Sequence, residues 1–396
     1  MSAVLVVNSG SSSFKYQLID ADSERMLATG LVERIGESEG RAAHTVDGEK
    51  CERTLPIADH TAGFQVMLDA FAAHGPSLDE NPVIAVGHRV VQGGARFFEP
   101  TVITDLVKIN IDELSSLAPL HNPANLEGIV AAQKAFPDVP HVAVFDTAFH
   151  QTLPPAAYTY AIDAALAAKH RVRRYGFHGT SHQYVSRRAA EFLQRPVEEL
   201  DQIVLHLGNG ASVCAVHEGR SVETSMGMTP LEGLVMGTRS GDIDPAVLVH
   251  LQRRAGLDVD GIDELLNKRS GLLGLSGRGD MRDVVDAAEG GDEAAALAVD
   301  VYVHRLRGYI GNYYAQLGGA DAIIFTAGVG ENAPLIRARA VEGLEVLGIE
   351  LDPERNAATS REARVISTDA SRVAVLVVPT NEELEIARQT LAVTRA

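Results

Sequence analysis

Cysteine and tryptophan are the scarcest residues of this sequence. The chain of 396 residues contains two cysteines, Cys51 and Cys214, and no tryptophan. The cysteines lie far apart and neither belongs to a C-x-x-C pair, so they can build neither a disulfide framework nor a zinc cluster. The sequence therefore predicts two unpaired thiols in a reducing compartment.

Positive charge and long apolar runs are also in short supply. Lys and Arg number 35 against 53 Asp and Glu, which gives a formal net charge of −18. No run of about 18 apolar residues occurs, and the N-terminal MSAVLVVNSG has neither the basic region nor the cleavable apolar stretch of a signal peptide. We therefore expect a cytoplasmic protein that binds neither nucleic acid nor membranes. An anionic small-molecule substrate would have to be held by a few placed cations or amides, because the overall field repels it.

What the sequence does contain is a regular alternation of segments. Short Val/Ile/Leu runs alternate with longer Ala/Leu/Arg-rich stretches, which is typical of an α/β fold with mostly buried strands. The apolar runs lie at residues 4–7, 83–86, 142–145, 203–207, 322–325 and 373–378. The stretches 181–194 and 293–317 are amphipathic and predict helices.

Two helix starts can be predicted from capping residues. Thr180 and Gln183 have the spacing of a capping box before the first amphipathic stretch. Asp244 directly precedes Pro245, which predicts an N-cap followed by a favoured first helical residue. A capping role is a better interpretation of Asp244 than an acid/base pair with Asp242.

An internal repeat indicates how the chain is organised. Segment 4–15, VLVVNSGSSSFK, aligns with 204–215, VLHLGNGASVCA, so that Gly10 matches Gly210 and Ser12 matches Ser212. Each segment has the pattern strand, small-residue turn, strand. Chance similarity is one explanation. A true repeat predicts two similar α/β halves that face each other across a cleft, each contributing a glycine-rich hairpin to a phosphate clamp.

Three glycine-rich turns are candidates for anion binding. NSGSSSFK at 8–15 offers backbone N–H groups, hydroxyls and Lys15 to a phosphate, although a plain polar hairpin has the same pattern. HLGNGAS at 206–212 precedes a strand, which excludes the dinucleotide fingerprint and leaves either a phosphate-binding turn or a type I′ hairpin. FTAGVGENA at 325–333 lies between a strand and a helix and suits a purine or ribose contact. No P-loop motif occurs.

Charged residues in apolar surroundings are the other candidates. Arg89 in VGHRVVQGG and Arg239 in MGTRSGDIDP each need an anionic partner, which is either an internal carboxylate or a ligand. Asp146 follows a buried strand, where ligands of open α/β sheets collect. His178 and His182 have the spacing of a helical zinc pair, but the glutamate of HExxH is missing. His178 is therefore interpreted as a phosphoryl contact or as a satisfied, partly buried histidine.

Taken together, these segments resemble the acetate kinase family. The resemblance covers nearly the whole chain and is carried by NSGSSSFKYQLID, GHRVVQGG, HNPANLEGI, FDTAFHQTLP, YGFHGTSH, HLGNGAS, SMGMTPLEGLVMGTRSGDIDP, FTAGVGEN and PTNEELEIAR. It implies the fold of the acetate and sugar kinase, Hsp70 and actin superfamily, with two duplicated RNase H-like domains around a nucleotide cleft. The implied domains are an N-terminal actin-like domain 1–148, on which 383–396 packs back, and a C-terminal nucleotide-binding domain 149–382.

The resemblance also implies an activity. The expected reaction is reversible, direct in-line phosphoryl transfer between ATP and acetate, which gives acetyl phosphate and ADP. The cofactor would be Mg²⁺, with Mn²⁺ as an alternative, and the usual assembly is a homodimer. Two alternatives stay open: a kinase for propionate or other short-chain carboxylates, and a non-catalytic ATP switch of the same superfamily.

The family pattern assigns roles to individual residues. The catalytic residues implied by the resemblance are Asp146, Arg89, His178 and Arg239, and the metal contacts are Asn8 and Glu382. The residues implied for ATP binding are Lys15, Ser13, His206, Leu207, Gly208, Asn209, Gly210, Asp280, Met281, Arg282, Gly328, Val329, Gly330, Glu331 and Asn332. Those implied for the carboxylate substrate are Arg89, Val91, Leu120, His121, Phe177 and Pro230. The role of Asp146 as base, metal positioner or orienting group stays open. So does the nucleotide preference, because Arg278 and Gly279 depart from the small or hydroxyl residues usual in the family.

Overall fold

The chain divides into two compact units. The computed structural model describes residues 2–395. Unit 1 comprises the residues up to Phe149 and the segment from Asn381 onward, and unit 2 comprises His150–Thr380. The domains expected from the sequence end one residue earlier at the first boundary and return two residues later at the second. The role of each domain stays a prediction.

Unit 1 is built on an eight-stranded sheet. Its strands are β1 (Ala3–Ser9), β2 (Ser13–Asp20), β3 (Met26–Glu33), β4 (Gly40–Val46), β5 (Glu49–Leu55), β6 (Val83–Val90), β7 (Thr101–Val102) and β8 (His141–Phe145). They lie in the order β5-β4-β3-β2-β1-β6-β8-β7. Because β1 pairs antiparallel with β2 and parallel with β6, it lies in the interior of the sheet.

Both faces of β1 are covered, which explains its continuous apolar run. The helices between these strands are α1 (His60–His74), α2 (Asp105–Glu113) and α3 (Asn122–Ala135). Leu5 and Val7 join a core that includes residues of α1 and α3. Val4 and Val6, which alternate with them along the strand, join a second core with Ile386 of the C-terminal segment. A strand buried on both faces has no polar side to show in the sequence.

Unit 2 contains a six-stranded sheet and most of the helices. Its strands are β9 (Asp201–Leu207), β10 (Ala211–His217), β11 (Arg220–Thr224), β12 (Ala322–Thr326), β13 (Arg364–Val365) and β14 (Ala374–Val377). Its helices are α4 (Pro155–Tyr158), α5 (Ala164–His170), α6 (Gly179–Leu193), α7 (Ala246–Ala255), α8 (Val259–Lys268), α9 (Gly271–Ser276), α10 (Met281–Glu289), α11 (Glu293–Leu317), α12 (Ala327–Asn332), α13 (Pro334–Val341) and α14 (Pro353–Ala357). Both α6 and α11 pack against β9.

The last helix returns the chain to unit 1. α15 (Glu382–Thr394) packs against β1, β6 and β8. Its residues Ile386 and Ala387 are buried in the second core of that unit. Among residues 2–395, no helix combines the length and the apolar character that a membrane crossing requires.

Six strands of the unit 1 sheet have the same topology as the sheet of unit 2, which confirms the predicted duplicated α/β fold. In unit 2 the strand order is β11-β10-β9-β12-β14-β13. In each sheet a central strand forms an antiparallel hairpin with the next strand and pairs in parallel with a later one, β6 or β12. Next to it lies a further parallel strand, β8 or β14. A short antiparallel strand, β7 or β13, forms one edge of each sheet. The two hairpins are the segments that align in the sequence repeat, so that repeat reflects a shared topology.

The predicted capping box at Thr180 is wrong. α6 begins at Gly179, so His178 and not Thr180 occupies the cap position. His178 has a φ of 57° and makes no side-chain capping hydrogen bond. The Thr180 hydroxyl is buried and has no hydrogen-bond partner among the described residues. The chain enters the helix through a left-handed residue, which moves the first free N–H groups upstream of the predicted cap.

α7 begins at Ala246, one residue later than predicted, and Pro245 lies in the cap position. The predicted capping role of Asp244 is supported by its hydrogen bond. Its carboxylate accepts a hydrogen bond from Ala246 N–H at 2.9 Å, in the first turn of α7. Asp242 has separate partners, since its carboxylate accepts from Gly233 N–H at 2.8 Å and from the Tyr309 hydroxyl at 2.7 Å. The two aspartates therefore serve different local roles and form no pair.

Candidate active site

In unit 1, Arg89 and Asp146 form a bidentate ion pair. Arg89 lies on β6, and Asp146 follows the neighbouring parallel strand β8. Arg89 Nε is 2.9 Å from Asp146 Oδ1, and Nη2 is 2.6 Å from Oδ2. Of the two partners that the sequence left open for this arginine, the structure contains the internal carboxylate. The pair fixes the plane of the guanidinium, because both parallel N–H groups are engaged.

Further polar residues surround this pair. Asn8 on β1 accepts a hydrogen bond from Arg89 Nη1 at 3.5 Å. Burial by itself would lower the pKa of Arg89, but Asp146, together with Glu382 and Glu383, raises it above its ordinary value. Burial raises the pKa of Glu382 to about 7, with Asp146 and Glu383 acting in the same direction against Arg89 and Lys15. We refer to Asn8, Arg89, Asp146 and Glu382 as the unit 1 cluster.

Two members of the unit 1 cluster have side chains of the kind that bind a divalent cation. Asn8 and Glu382 provide an amide and a carboxylate oxygen, which are ligands that Mg²⁺ uses together with water and substrate phosphates. The raised pKa of Glu382 means that the positive charges of Arg89 and Lys15 do not offset the cost of burying its ionised carboxylate. A cation bound beside Glu382 and Asn8 would offset the negative charge of the ionised Glu382 carboxylate.

The remaining predicted residues of unit 1 differ in exposure. Ser13 and Lys15 lie on β2, where Ser13 is half-buried and Lys15 is exposed. Val91 directly follows β6 and is buried. Leu120 is 63% exposed, and His121 is half-buried before α3. Within unit 1 itself, Val91 is therefore the buried member of the predicted apolar contacts, whereas Leu120 is not.

In unit 2, a cavity of about 620 Å³ collects three predicted segments. This volume is in the range of pockets that hold small molecules. The predicted nucleotide residues on its wall are Gly208, Asn209, Asp280, Met281, Arg282, Gly328, Val329 and Asn332. The predicted nucleotide residues of unit 2 that are absent from its wall are His206, Leu207, Gly210, Gly330 and Glu331. The cavity therefore joins the β9–β10 turn, the start of α10 and the turn after β12.

Sequence reasoning missed part of the cavity wall. The additional lining residues are Gly237, Leu272, Gly279, Val285, Asp286, Glu289, Tyr302, Ala333, Pro334 and Leu335. Val285, Asp286 and Glu289 follow Arg282 on one face of α10, so helical spacing could have identified them. Gly279 lines the cavity, whereas Arg278 pairs with Asp292 at 2.9 Å and is not part of the wall.

Local contacts hold two of these segments in place. Asp280 caps α10 by accepting from Arg282 N–H at 2.9 Å, and it also pairs with the Arg282 guanidinium at 3.0 and 2.6 Å. The hydrogen bonds from Arg282 lower the pKa of Asp280 to about 2. In α12 the Glu331 carboxylate accepts from Ala327 N–H at 2.9 Å and from Thr380 N–H at 3.3 Å. The Glu331 side chain thus holds its own turn together.

Next to this cavity, His178 and Arg239 converge on Gly210. A Cβ atom placed on Gly210 would lie 3.4 Å from Arg239 Nη1 and 3.7 Å from His178 Nε2. His178 stacks on His206 with ring centroids 4.2 Å apart. Arg239 Nη1 donates to the Pro230 carbonyl at 3.2 Å, and burial lowers the pKa of Arg239. We refer to Gly210, His178 and Arg239 as the Gly210 corner.

The Gly210 corner differs from the unit 1 cluster in its charge balance. Among residues 2–395, no Asp or Glu forms an ion pair with Arg239, in contrast to Arg89. A half-buried guanidinium without a carboxylate is costly unless an anion binds beside it. Gly208 and Asn209, the preceding residues of the same turn, line the cavity. The corner is therefore suited to the anionic end of a ligand whose other end lies in the cavity.

Comparisons with known proteins identify the family to which the chain is similar. The chain matches the Acetokinase family over residues 3–388. It is 72% identical to the acetate kinase of Leifsonia xyli subsp. xyli, with 99% of this chain and 98% of the relative covered. It is 68% identical to that of Clavibacter michiganensis subsp. michiganensis, with 100% of both covered.

Solved structures extend the comparison from sequence to fold. The chain resembles the acetate kinase of Porphyromonas gingivalis with a TM-score of 0.96 and 44% identity, covering 100% of both chains. It resembles a propionate kinase from Francisella tularensis subsp. tularensis with a TM-score of 0.93 and 42% identity, covering 99% and 100% of the two chains. The family match and these end-to-end likenesses show that the chain belongs to the acetokinase family.

Proposed function

We propose that this chain transfers the terminal phosphoryl group of ATP to acetate, reversibly, and so forms acetyl phosphate and ADP. The observation that carries the proposal is the position of the Gly210 corner at the end of a turn that lines the cavity. A nucleoside in the cavity would extend its phosphates along Gly208 and Asn209 towards Arg239 and His178. The relatives named acetate kinase support acetate as the acceptor.

The chemistry explains why cations and N–H donors dominate the candidate residues. A carboxylate is already ionised near neutral pH, so acetate needs no base to become a nucleophile. The difficulty is to bring two anions together and to stabilise the charge that spreads over a metaphosphate-like centre. In the proposal, the guanidinium of Arg239 donates hydrogen bonds to the oxygens of the phosphoryl group during transfer, and His178 donates a further hydrogen bond.

For Asp146 we propose an orienting role. Both of its oxygens are bound by Arg89, at 2.9 and 2.6 Å. Acetate is ionised near neutral pH, so it has no proton for Asp146 to remove. Asp146 therefore orients Arg89, which in turn holds the carboxylate substrate.

The proposed cofactor is Mg²⁺, with Asn8 and Glu382 as its protein contacts. When bound, the ion neutralises charge on the nucleotide phosphates. The donor set supports this assignment, because one carboxylate and one amide leave most of the coordination to water and phosphate oxygens. Lys15 and Ser13 are the proposed additional phosphate contacts of unit 1.

The acceptor pocket is proposed to favour acetate and to admit propionate. Its methyl contacts are assigned to Val91, Leu120, Phe177 and Pro230, with His121 beside them. An additional methylene in an apolar pocket changes binding by only about 1–3 kcal/mol, so discrimination against propionate is modest. The likeness to a propionate kinase from Francisella tularensis supports propionate as the second acceptor.

A cytoplasmic homodimer is the proposed setting. Cys51 and Cys214 are both free thiols, which suits a reducing compartment. In unit 2, α7 has no buried residue, and Val247 and Val249 on it are exposed. Apolar residues on an otherwise uncovered helix favour burial against a second copy. Light scattering of the purified protein measures the assembly directly.

The decisive experiment is the detection of acyl phosphate. Purified protein is mixed with Mg-ATP and acetate, and hydroxylamine converts any acetyl phosphate into a coloured hydroxamate. We expect product that depends on protein, ATP and acetate together. ATP binding without hydroxamate would contradict the proposal and favour the non-catalytic ATP switch.

A further inference from the structure

A buried serine hydroxyl links two histidines near the Gly210 corner. Ser212 Oγ is 2.9 Å from His178 Nδ1 and 2.8 Å from His182 Nε2. Ser212 and His182 are completely buried. A serine hydroxyl has one proton and two lone pairs, so it donates to at most one of the rings and accepts from at least one of them. The direction of this hydrogen-bonded chain decides where the proton of His178 lies.

The surroundings of His182 determine that direction. Its Nδ1 atom is buried and has no hydrogen-bond partner among the described residues. Burial lowers the pKa of His182 far below its ordinary value, with His150 and His206 adding to the effect, so the ring is neutral. A neutral ring has one N–H group, and unpaired buried donors are rarer than unpaired buried acceptors. The proton therefore lies on Nε2, where Ser212 accepts it.

The rest of the chain follows from this placement. Because Ser212 Oγ accepts from His182 Nε2–H, its own proton is available to the other ring and is donated to His178 Nδ1. His178 Nδ1 is then an acceptor and carries no proton, so the ring proton of His178 lies on Nε2. Nε2 is the atom on the side of Gly210 and Arg239, 3.7 Å from the position of a Gly210 Cβ.

We propose that His182 and Ser212 are positioning residues, which hold His178 in the tautomer that presents an Nε2–H donor at the Gly210 corner. The inference rests on the proposed function only where it assigns that donor to a phosphoryl oxygen. The hydrogen-bond direction itself does not depend on the substrate. The hydrogen bond from Ser212 favours one tautomer of His178, since neutral imidazole carries its proton on either nitrogen.

Imidazole nitrogen NMR tests the direction without any turnover. In protein labelled with ¹⁵N-histidine, long-range correlations distinguish protonated from bare ring nitrogens, and the His178→Asn and His182→Asn spectra assign the signals. We expect protonated Nε2 and bare Nδ1 in both rings of the wild type. In Ser212→Ala, the His178 signals should move towards a mixture of tautomers. A wild-type His178 with its proton on Nδ1, or signals unchanged by Ser212→Ala, would overturn the proposal.

Kinetics test whether the positioning matters for the reaction. Ser212→Ala should lower kcat about 10- to 100-fold, as is common when the partner that orients a functional imidazole is lost, with the KM for ATP nearly unchanged. His182→Gln retains an N–H donor at about the position of Nε2 and should keep more activity than His182→Leu. Ser186→Ala is the matched control, since it removes a different buried hydroxyl, on α6, which donates to the Gln183 carbonyl at 3.0 Å.

The two hypotheses fail in different ways. Wild-type protein that forms no acyl phosphate would contradict the proposed function, whereas the tautomer spectra would still report on the chain. An active wild type whose kcat is the same in Ser212→Ala and Ser186→Ala would overturn the positioning role alone. Equal activity of His182→Gln and His182→Leu would also count against it, because the two variants differ in the donor that the inference requires.

Discussion

The two candidate arginines have different partners. Arg89 is held by Asp146 through two hydrogen bonds, so its charge is largely compensated within the protein. Arg239 donates to the Pro230 carbonyl and to the sulfur of Met236 at 3.6 Å, and neither acceptor is charged. The uncompensated charge of Arg239 is therefore the one available to an incoming phosphoryl group, and its removal should affect turnover more than folding.

We predict that Arg239→Ala retains the fold and loses activity. By analogy with arginine fingers, the rate should fall about 10³- to 10⁵-fold. Hydroxamate formation and the reverse reaction from acetyl phosphate and ADP measure the loss, and circular dichroism reports the fold. Arg220→Ala on β11 is the control, since it removes an exposed arginine. Near wild-type turnover in either direction would exclude Arg239 from the mechanism.

A second prediction concerns Val91 and the length of the acceptor. Val91 is buried at the end of β6, and its N–H donates to the Asn125 side chain at 3.0 Å, a bond that an alanine would keep. Val91→Ala should therefore enlarge the proposed pocket and narrow the preference for acetate over propionate. The two values of kcat/KM, measured side by side in wild type and variant, decide this. An unchanged ratio would remove Val91 from the pocket.

At the scale of elements, a buried arginine supports the turn after β12. Arg337 on α13 is 1% exposed and donates from Nη1 to the carbonyls of Gly330 and Glu331, both at 2.9 Å. Its Nε and Nη2 bind Asn356 at 2.8 and 2.6 Å. Burial lowers the pKa of Arg337 to about 10, so it stays charged near neutral pH. The carbonyls of Gly330 and Glu331 stabilise its positive charge through these hydrogen bonds. The same bonds connect α13 to α12, which contributes to the cavity wall.

We predict that Arg337→Met weakens nucleotide binding. Its loss leaves several buried acceptors unpaired, at about 1–3 kcal/mol each, and lets α12 shift. The KM for ATP should rise about tenfold or more, since small displacements of binding groups have large effects. Arg339→Met is the matched control on the same helix, where the arginine pairs with Asp300 near the surface. Equal KM values for ATP in Arg337→Met and Arg339→Met would contradict a supporting role of Arg337 in nucleotide binding.

At the scale of the whole molecule, buried neutral histidines should limit acid stability. His88 in unit 1 is buried and contacts His141 at 2.9 Å, and burial, with His141, lowers the pKa of His88 well below its ordinary value. In the unfolded chain the same histidine has a pKa of about 6.5. Below that pH the histidine binds a proton in the unfolded chain, whereas the buried ring of the folded protein stays neutral. The free energy of unfolding therefore falls as the pH falls.

The corresponding measurement is the urea midpoint between pH 7.5 and 5. Each such histidine contributes a slope of about 1.4 kcal/mol per pH unit below its unfolded pKa. His88→Asn should therefore show a weaker loss of stability in acid than the wild type. His170→Asn, which changes an exposed histidine at the end of α5, should retain the wild-type slope. A slope unaffected by His88→Asn would contradict this explanation.

The fold class could be predicted from the amino-acid sequence, and so could eight of the residues that line the cavity of unit 2. Buried strands such as 4–7 and 203–207 are marked by continuous apolar runs, and the repeat between 4–15 and 204–215 corresponds to hairpins of equal topology. The amphipathic stretch 293–317 has the same bounds as α11. These features follow from local periodicity and turn chemistry, which neighbouring residues carry together.

The tertiary structure was needed to show which distant groups are partners. It paired Arg89 with Asp146 and placed Ser212 between His178 and His182, although no spacing in the sequence indicates either contact. It also moved the start of α6 away from Thr180. The physical reason is that hydrogen-bond partners are set by the path of the backbone between elements, and that path depends on how whole layers pack rather than on the residues at either end.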